Sequence, residues 1–262
     1  MYFHGALKYL EYIIFSRHRK GHGLHSPFVF HLVSEVFRNK ISPDIVLMVE
    51  KIREKMISDQ RSIKVRDLGS GSARMKTSIR KVSDIARYSA VPEKYGILLS
   101  NLAAEFGRPA IIELGTSLGI STMYMAASCP GTCVYTIEGC PETSAIAEMN
   151  FREAGLNNIA ALNGSFGEQL AEILRGAENP GLIFIDGDHR KGPLMSYFSQ
   201  VAENSSANTL VVIDDIHSSH DMEEAWDELR MHEKVTFSVD IFRMGLLFLR
   251  KGIPHIDYII RY

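Results

Sequence analysis

Four apolar runs from residue 110 onward each carry a carboxylate at or next to their end. Glu113 lies in "AIIEL", Glu138 ends "TCVYTIE", Asp186 ends "GLIFID" and Asp214 ends "NTLVVID". More reactive groups follow closely: Asp188 and His189 after Asp186, then Asp215, His217 and His220 after Asp214. A carboxylate can accept hydrogen bonds from sugar hydroxyls, pair with a cation or take up a proton. An imidazole beside carboxylates is suited to general-base work near neutral pH, which puts Asp186, Asp188 and His189 forward as the catalytic group. The Asp and His residues of 214–220 also have the donor types of a transition-metal site. An acid after a strand often only caps the next helix. Four at successive strand ends are harder to assign to capping alone.

Such residues work together only if the fold collects them on one edge. From residue 110 onward, short apolar runs alternate with helical patterns. Strands are expected at 110–114, 132–138, 158–163, 181–186 and 208–214, with helices near 119–128, 141–154, 166–175, 190–203 and 219–231. This alternation implies crossover connections and a parallel sheet covered on both faces, with every carboxyl end on one side. The last runs, "KVTFSVDIF" and "GLLFLRK", are joined by a very short link and read as a hairpin closing the sheet. The first hundred residues differ in texture. Ser26-Pro27 and Ser42-Pro43 place a capping hydroxyl before a proline at the first helical position, and "VPEKYGILLSNLAAEFG" has helical spacing that stops at Gly107. The division expected is a helical and loop appendage over residues 1–90 and a ligand-binding α/β domain over 91–262.

Two glycine loops compete for a nucleotide. After "IIEL" comes Gly115-Thr116-Ser117-Leu118-Gly119 and then a helical run, the order needed to aim backbone N–H groups and a helix start at a polar ligand. The next strand-end acid, Glu138, stands 25 residues after Glu113, near the spacing of a carboxylate that holds ribose hydroxyls. "RDLGSGSARM", residues 66–75, has only "IKV" before it and Arg87 twenty residues after Asp67. It reads as a decoy for the cofactor, and as a glycine-hinged loop toward an acceptor. The 115–119 loop also lacks the middle glycine that lets a backbone approach a pyrophosphate. That disfavours a nicotinamide-dependent oxidoreductase and favours a nucleoside without pyrophosphate, such as S-adenosylmethionine.

"IIELGTSLGIST", "YTIE", "FIDGDH" and "LVVIDD" resemble the class I S-adenosylmethionine-dependent methyltransferases, in their small-molecule O-methyltransferase-like branch. The resemblance spans about residues 83–250, and "HGLHSPFVF" with "DDIHSSHDMEEAWDEL" resembles a bacterial subgroup of it. It implies a doubly wound, seven-stranded, mostly parallel Rossmann-like sheet with an antiparallel last strand. It also implies that Glu113, Gly115, Thr116, Ser117, Gly119 and Ser121 form the cofactor loop, that Glu138 takes the ribose, and that Ser165 and Phe166 flank the adenine. In metal-dependent members an Asp and an Asp-Asn pair hold a divalent cation such as Mg²⁺. The matching residues here are Asp186, Asp214 and Asp215. Two departures stand out: Asp215 replaces the Asn, and His189 replaces a Lys. A metal-bound and a metal-free site both stay open.

Outside these motifs the signals are plainer. Residues 61–94 carry nine Lys/Arg against three acids in a chain of net charge −2. Arg74, Lys76, Arg80 and Lys81 are the candidates for receiving an anionic acceptor, and a solvated helix face is the plain alternative. An RNA or nucleotide methyltransferase would use the same patch, although Tyr88 and Tyr95 offer few stacking surfaces. A non-catalytic module that keeps only the fold is the remaining reading. Trp226, Met222 and Met231 read as the core face of a helix, His220 as a solvated helix start, and His22, His25 and His31 as packing or capping groups. Cys129, Cys133 and Cys140 have no zinc spacing and read as reduced core residues of a cytoplasmic protein. Lys8 and Glu11 interrupt the first apolar run, and no run is long enough for a membrane span. A homodimer is admissible.

Overall fold

The computed structural model describes residues 2–16, 26–66, 77–176, 179–205, 208–249 and 255–262. The N-terminal part contains α1 (Tyr2–Phe15), α2 (Pro27–His31) running into a π-helical turn at Leu32–Val36, α3 (Pro43–Ser58), β1 (Ser62–Lys64), β2 (Ile79–Lys81), α4 (Val82–Tyr88) and α5 (Glu93–Phe106). Both expected caps form: the Ser26 hydroxyl accepts from the Val29 N–H at 3.5 Å, and that of Ser42 from the Asp44 N–H at 3.3 Å. The main domain follows as β3 (Ala110–Leu114), α6 (Ile120–Ser128), β4 (Cys133–Glu138), α7 (Pro141–Glu153), β5 (Ile159–Asn163), α8 (Phe166–Gly176), β6 (Leu182–Ile185), α9 (Lys191–Asn204), β7 (Leu210–Asp214), α10 (His220–Arg230), β8 (Phe237–Asp240), β9 (Met244–Phe248) and β10 (Ile256–Ile259).

The main sheet runs in the order β10-β8-β9-β7-β6-β3-β4-β5. β9 is antiparallel to both of its neighbours, as the hairpin reading requires, and β3, β4, β5, β6 and β7 are parallel. The seven expected strands are joined by an eighth, β10, which pairs in parallel with β8 at the edge. Its sequence, "IDYI", is short and largely exposed, so it lacks the buried apolar signature that marked the others.

Strand order reverses between β3 and β6: β4 and β5 lie to one side, β7 to the other. A doubly wound sheet opens a ligand crevice at such a switch point. β3, β6 and β7 are buried along their whole length because helices cover both faces. One apolar cluster joins Leu98, Leu102 and Met123 to the appendage residues Leu32, Val49 and Ile85, and the other holds Leu170, Phe198 and Trp226. Each such side chain contributes about 1.5–3 kcal/mol by leaving water, so the appendage is welded to one face of the sheet rather than tethered. Met222 and Trp226 are in the core as expected, but Met231 is 64% exposed. It follows the last turn of α10, where the apolar stripe has run out.

The second glycine loop has a different setting from the first. Its flanking strands β1 and β2 pair antiparallel in a separate two-stranded sheet, with Ile63 opposite Arg80. It therefore links a hairpin, whereas a cofactor loop joins a strand to a helix. Residues 67–76, with Gly69, Gly71, Arg74 and Lys76, lie outside the described residues.

Candidate active site

The ends of β3 and β6 touch at the switch point. The Asp186 N–H donates to the Leu114 carbonyl at 2.8 Å, and a Cβ on Gly115 would collide with the Asp186 carbonyl oxygen. Gly115 also has φ +105, so two independent constraints require glycine there. The loop then turns back on itself, with the Gly119 N–H bonded to Thr116 O at 2.8 Å, and α6 starts at Gly119. No side chain caps the N-terminus of α6.

Two carboxylates fix this loop. Glu138, at the end of β4, accepts the Ser117 N–H at 2.7 Å on one oxygen and the Cys140 N–H at 2.9 Å on the other. The Thr143 hydroxyl and the Gly139 N–H also face this carboxylate. Burial raises the Glu138 pKa, and its backbone N–H partners act against that rise. Glu113 is sealed from solvent and accepts from the hydroxyls of Thr122 and Thr136 on Oε2, while Thr116 and Thr136 share a hydroxyl contact at 2.6 Å. Burial pushes its pKa up to about 7 against the pull of the Ser121, Thr122 and Thr136 hydroxyls. Its Oε1 has no hydrogen-bond partner among the described residues. An orphaned buried acceptor, a helix start with no side-chain cap and a carboxylate at the end of β4 suit the donors and the carboxylate of an amino-acid-bearing nucleoside.

The neighbouring strand ends supply the walls. The Asn163 amide and the Gly164 N–H both donate to the Glu138 carbonyl, fastening the 163–165 turn beside it. Ser165 is exposed, and Phe166 lies so close to Gly187 that a Cβ there would meet the ring. The expected adenine-flanking pair thus stands at the cofactor end of the edge.

On the other side of the switch point, His189 Nε2 lies 3.6 Å from Asp186 Oδ1. Burial, with Asp214 and Asp215 nearby, holds the Asp186 pKa well above the usual carboxylate range. Asp188 is occupied: the Arg190 guanidinium grips both of its oxygens and the Tyr197 hydroxyl stands at 3.5 Å. This anchors the start of α9 rather than freeing Asp188 for chemistry.

Of the two open readings, metal-bound and metal-free, the geometry favours the second. Among the described residues no three carboxylate, imidazole or thiol groups converge as a metal site. The reason is Arg243, in the link between β8 and β9, which sequence reasoning missed. Its Nε and Nη2 donate to Asp214 Oδ1 and Oδ2 at 3.0 and 2.7 Å, and Nη2 lies 3.8 Å from Asp215 Oδ1. Asp214 is fully buried, and its two oxygens face this guanidinium fork. Burial and Asp215 raise the Asp214 pKa, while Arg243 opposes the rise. Burial lowers the Arg243 pKa, but Asp214, Asp215 and Asp186 together more than offset that and raise it. These residues do not fit a divalent ion as placed. Nothing local marks Arg243, which stands 29 residues after Asp214.

His217 serves the same region structurally. Its Nε2 meets Asp240 at 2.8 Å, its Nδ1 meets Glu223 at 3.3 Å, and its ring stacks on Phe242. Burial lowers its pKa, and the two carboxylates reverse this to a net rise. Tyr9 and Tyr12 of α1 pack on Phe242, and Tyr95 stacks near the Arg243 guanidinium at 5.6 Å. His220 is exposed and pairs with Glu224, and His31 pairs with Glu105.

Arg80 and Lys81 sit elsewhere. Arg80 is buried and donates Nε to Thr77 O, while Lys81 reaches Gln60. The hairpin docks next to Glu138, through the Lys64 N–H on Glu142 and the Arg66 N–H on Cys140 Sγ. In the sheet β4 is three strand spacings, about 14 Å, from β7. The hairpin's described roots therefore border the cofactor end of the edge.

Comparisons with known proteins bear on the fold that carries this edge. Residues 112–216 match the family model of a methyltransferase domain. The chain is 32% identical over 130 residues to a catechol O-methyltransferase from Niastella koreensis, an alignment covering 48% of this chain and 58% of that protein. The chain thus spans less than two thirds of that relative's length. Among solved structures, an O-methyltransferase from Bacillus cereus in complex with SAH is similar at TM-score 0.56 and 18% identity, over 80% of this chain and 93% of the other. A SAH-bound Podospora anserina methyltransferase is similar at TM-score 0.59 and 13% identity, over 86% and 96%. At such identities the structural likeness speaks for the fold.

Proposed function

We propose, on the premise that this chain belongs to the class I S-adenosylmethionine-dependent methyltransferases of the O-methyltransferase-like branch, that it methylates a hydroxyl of a small acceptor. One observation carries the reading. The loop after β3 meets the end of β6 at the switch point and is hooked to β4 by the Ser117–Glu138 hydrogen bond.

When bound, S-adenosylmethionine supplies an electrophilic methyl group. The rest is alignment and proton handling by the chain. Glu138 would accept from the ribose hydroxyls. The N–H groups at the start of α6 face the amino-acid carboxylate, with Glu113 behind them. Ser165 and Phe166 flank the base. Asp186 orients His189, which takes the acceptor's proton as its oxygen attacks. The acceptor enters between His189, Asp215 and the aromatic group of Tyr9, Tyr95 and Phe242. The free cysteines suit a cytoplasmic setting, and no helix among the described residues is long and apolar enough to cross a membrane.

The test is transfer of a labelled methyl group from S-adenosylmethionine to a panel of small hydroxyl compounds, neutral and anionic, beside RNA and free nucleotides. The expected result is label in a small hydroxyl compound. Label confined to RNA or nucleotides, with steep loss at high salt, would overturn the small-acceptor reading.

A further inference from the structure

The acceptor end of the edge has a cation already built into the chain. Asp186, Asp214 and Asp215 are the residues that the sequence resemblance matches to a divalent-ion site, yet both oxygens of the buried Asp214 accept from Arg243. The guanidinium has five N–H donors, and Asp214 uses two. Among the described residues the Nη1 hydrogens have no hydrogen-bond partner, and the side chain keeps 26% of its surface exposed. The Tyr95 ring lies beside the group, and the short β8–β9 link holds its backbone, with the Arg243 N–H on Ile241 O and the Ile216 N–H on Arg243 O. A cation held on both sides in this way is fixed before any acceptor arrives.

We infer that Arg243 takes the electrostatic place of the divalent cation, so that this site works without a metal and receives a negatively charged acceptor oxygen on the guanidinium. The inference rests on the methyl-transfer reading for the identity of the acceptor, but not for the metal comparison. A guanidinium cannot ligate several oxygens as a metal does, but its planar fork matches an anionic oxygen or carboxylate. Acceptors that reach the site as anions are the class it fits. The anionic group rests on the guanidinium while a hydroxyl of the same acceptor reacts: its oxygen bonds the methyl carbon, the sulfonium C–S bond breaks with sulfur keeping the electron pair, and the hydroxyl proton passes to His189.

Removing Arg243 should turn the carboxylates into a metal site. Mn²⁺ is titrated by calorimetry, in the presence of SAH, into wild type, Arg243→Ala, Arg243→Lys and the double variant Arg243→Ala/Asp214→Asn. Wild type and Arg243→Lys should bind Mn²⁺ no tighter than about 1 mM. Arg243→Ala should gain at least about tenfold in affinity and be raised in melting temperature by Mn²⁺, and the double variant should lose both. If Arg243→Ala does not fold, Arg243→Gln replaces it, and the wild-type titration stands by itself. Tight Mn²⁺ binding by wild type that Asp214→Asn abolishes would overturn the inference. So would a folded Arg243→Ala or Arg243→Gln that gains nothing. SAH binding measured on the same wild-type sample keeps the two readings apart, since its absence would strike the cofactor reading alone.

Discussion

Glu113 and Asp214 both lie sealed from solvent toward the carboxyl ends of two parallel strands, β3 and β7, with β6 between them, and the chain satisfies them by opposite means. Around Glu113 stand neutral hydroxyls, from Thr122 and Thr136, and one carboxylate oxygen is left without a donor. Around Asp214 stands a guanidinium that engages both oxygens. Hydroxyls can serve a carboxyl group in either protonation state, so Glu113 can answer a charged ligand. A guanidinium requires the anion, so Asp214 is locked as a counter-ion. The cofactor end of the edge is thus built to respond, and the acceptor end is built to stay fixed.

The largest effect should come from unlocking Asp214. Arg243→Ala leaves a buried carboxylate without its partner and should cost about 3–5 kcal/mol in urea unfolding. Arg243→Ala/Asp214→Asn should recover part of that loss, because the unpaired charge is gone. If the single variant unfolds like wild type, Arg243 is not what keeps Asp214 ionised.

Next comes the pH response of Glu113. Its pKa rises from 4.5 to about 7 in the folded chain, so the folded state holds an extra proton between those values. This contribution to stability is full below pH 4.5 and is lost as pH rises through 7, with a slope of up to about 1.4 kcal/mol per pH unit. Melting of the cofactor-free protein from pH 5 to 8 should therefore fall more steeply for wild type than for Glu113→Gln. Parallel profiles would show that Glu113 is ionised throughout, and the contrast with Asp214 would vanish.

Thr136→Val should give a smaller effect. It removes one donor to Glu113 and the partner of the Thr116 hydroxyl, a loss of about 1–2 kcal/mol. Glu113→Gln should absorb part of it in a double-mutant cycle, and strict additivity would contradict the direct contact.

The cofactor end was legible in the sequence because its parts are local. Strand, glycine turn and helix start follow one another from Ala110 to Ser128, and Glu138 closes the next strand, so spacing alone assembles them. The acceptor end was half legible. Asp186, His189, Asp214 and Asp215 could be named, but their partner could not. Arg243 sits in a hairpin link where nothing in pattern or propensity marks a charge for burial, and only the antiparallel pairing of β9 on β7 brings it to Asp214. The same limit explains β10 and Met231, which depend on what the surrounding chain leaves uncovered.

Calorimetry with S-adenosylmethionine, SAH and NAD, on wild type and Glu138→Ala, bears most directly on the central claim. Both sulfur nucleosides should bind wild type one to one, NAD should not, and Glu138→Ala should weaken the sulfur nucleosides by at least about tenfold, or about 1.4 kcal/mol. Binding of NAD with neither sulfur nucleoside would contradict the account at its root.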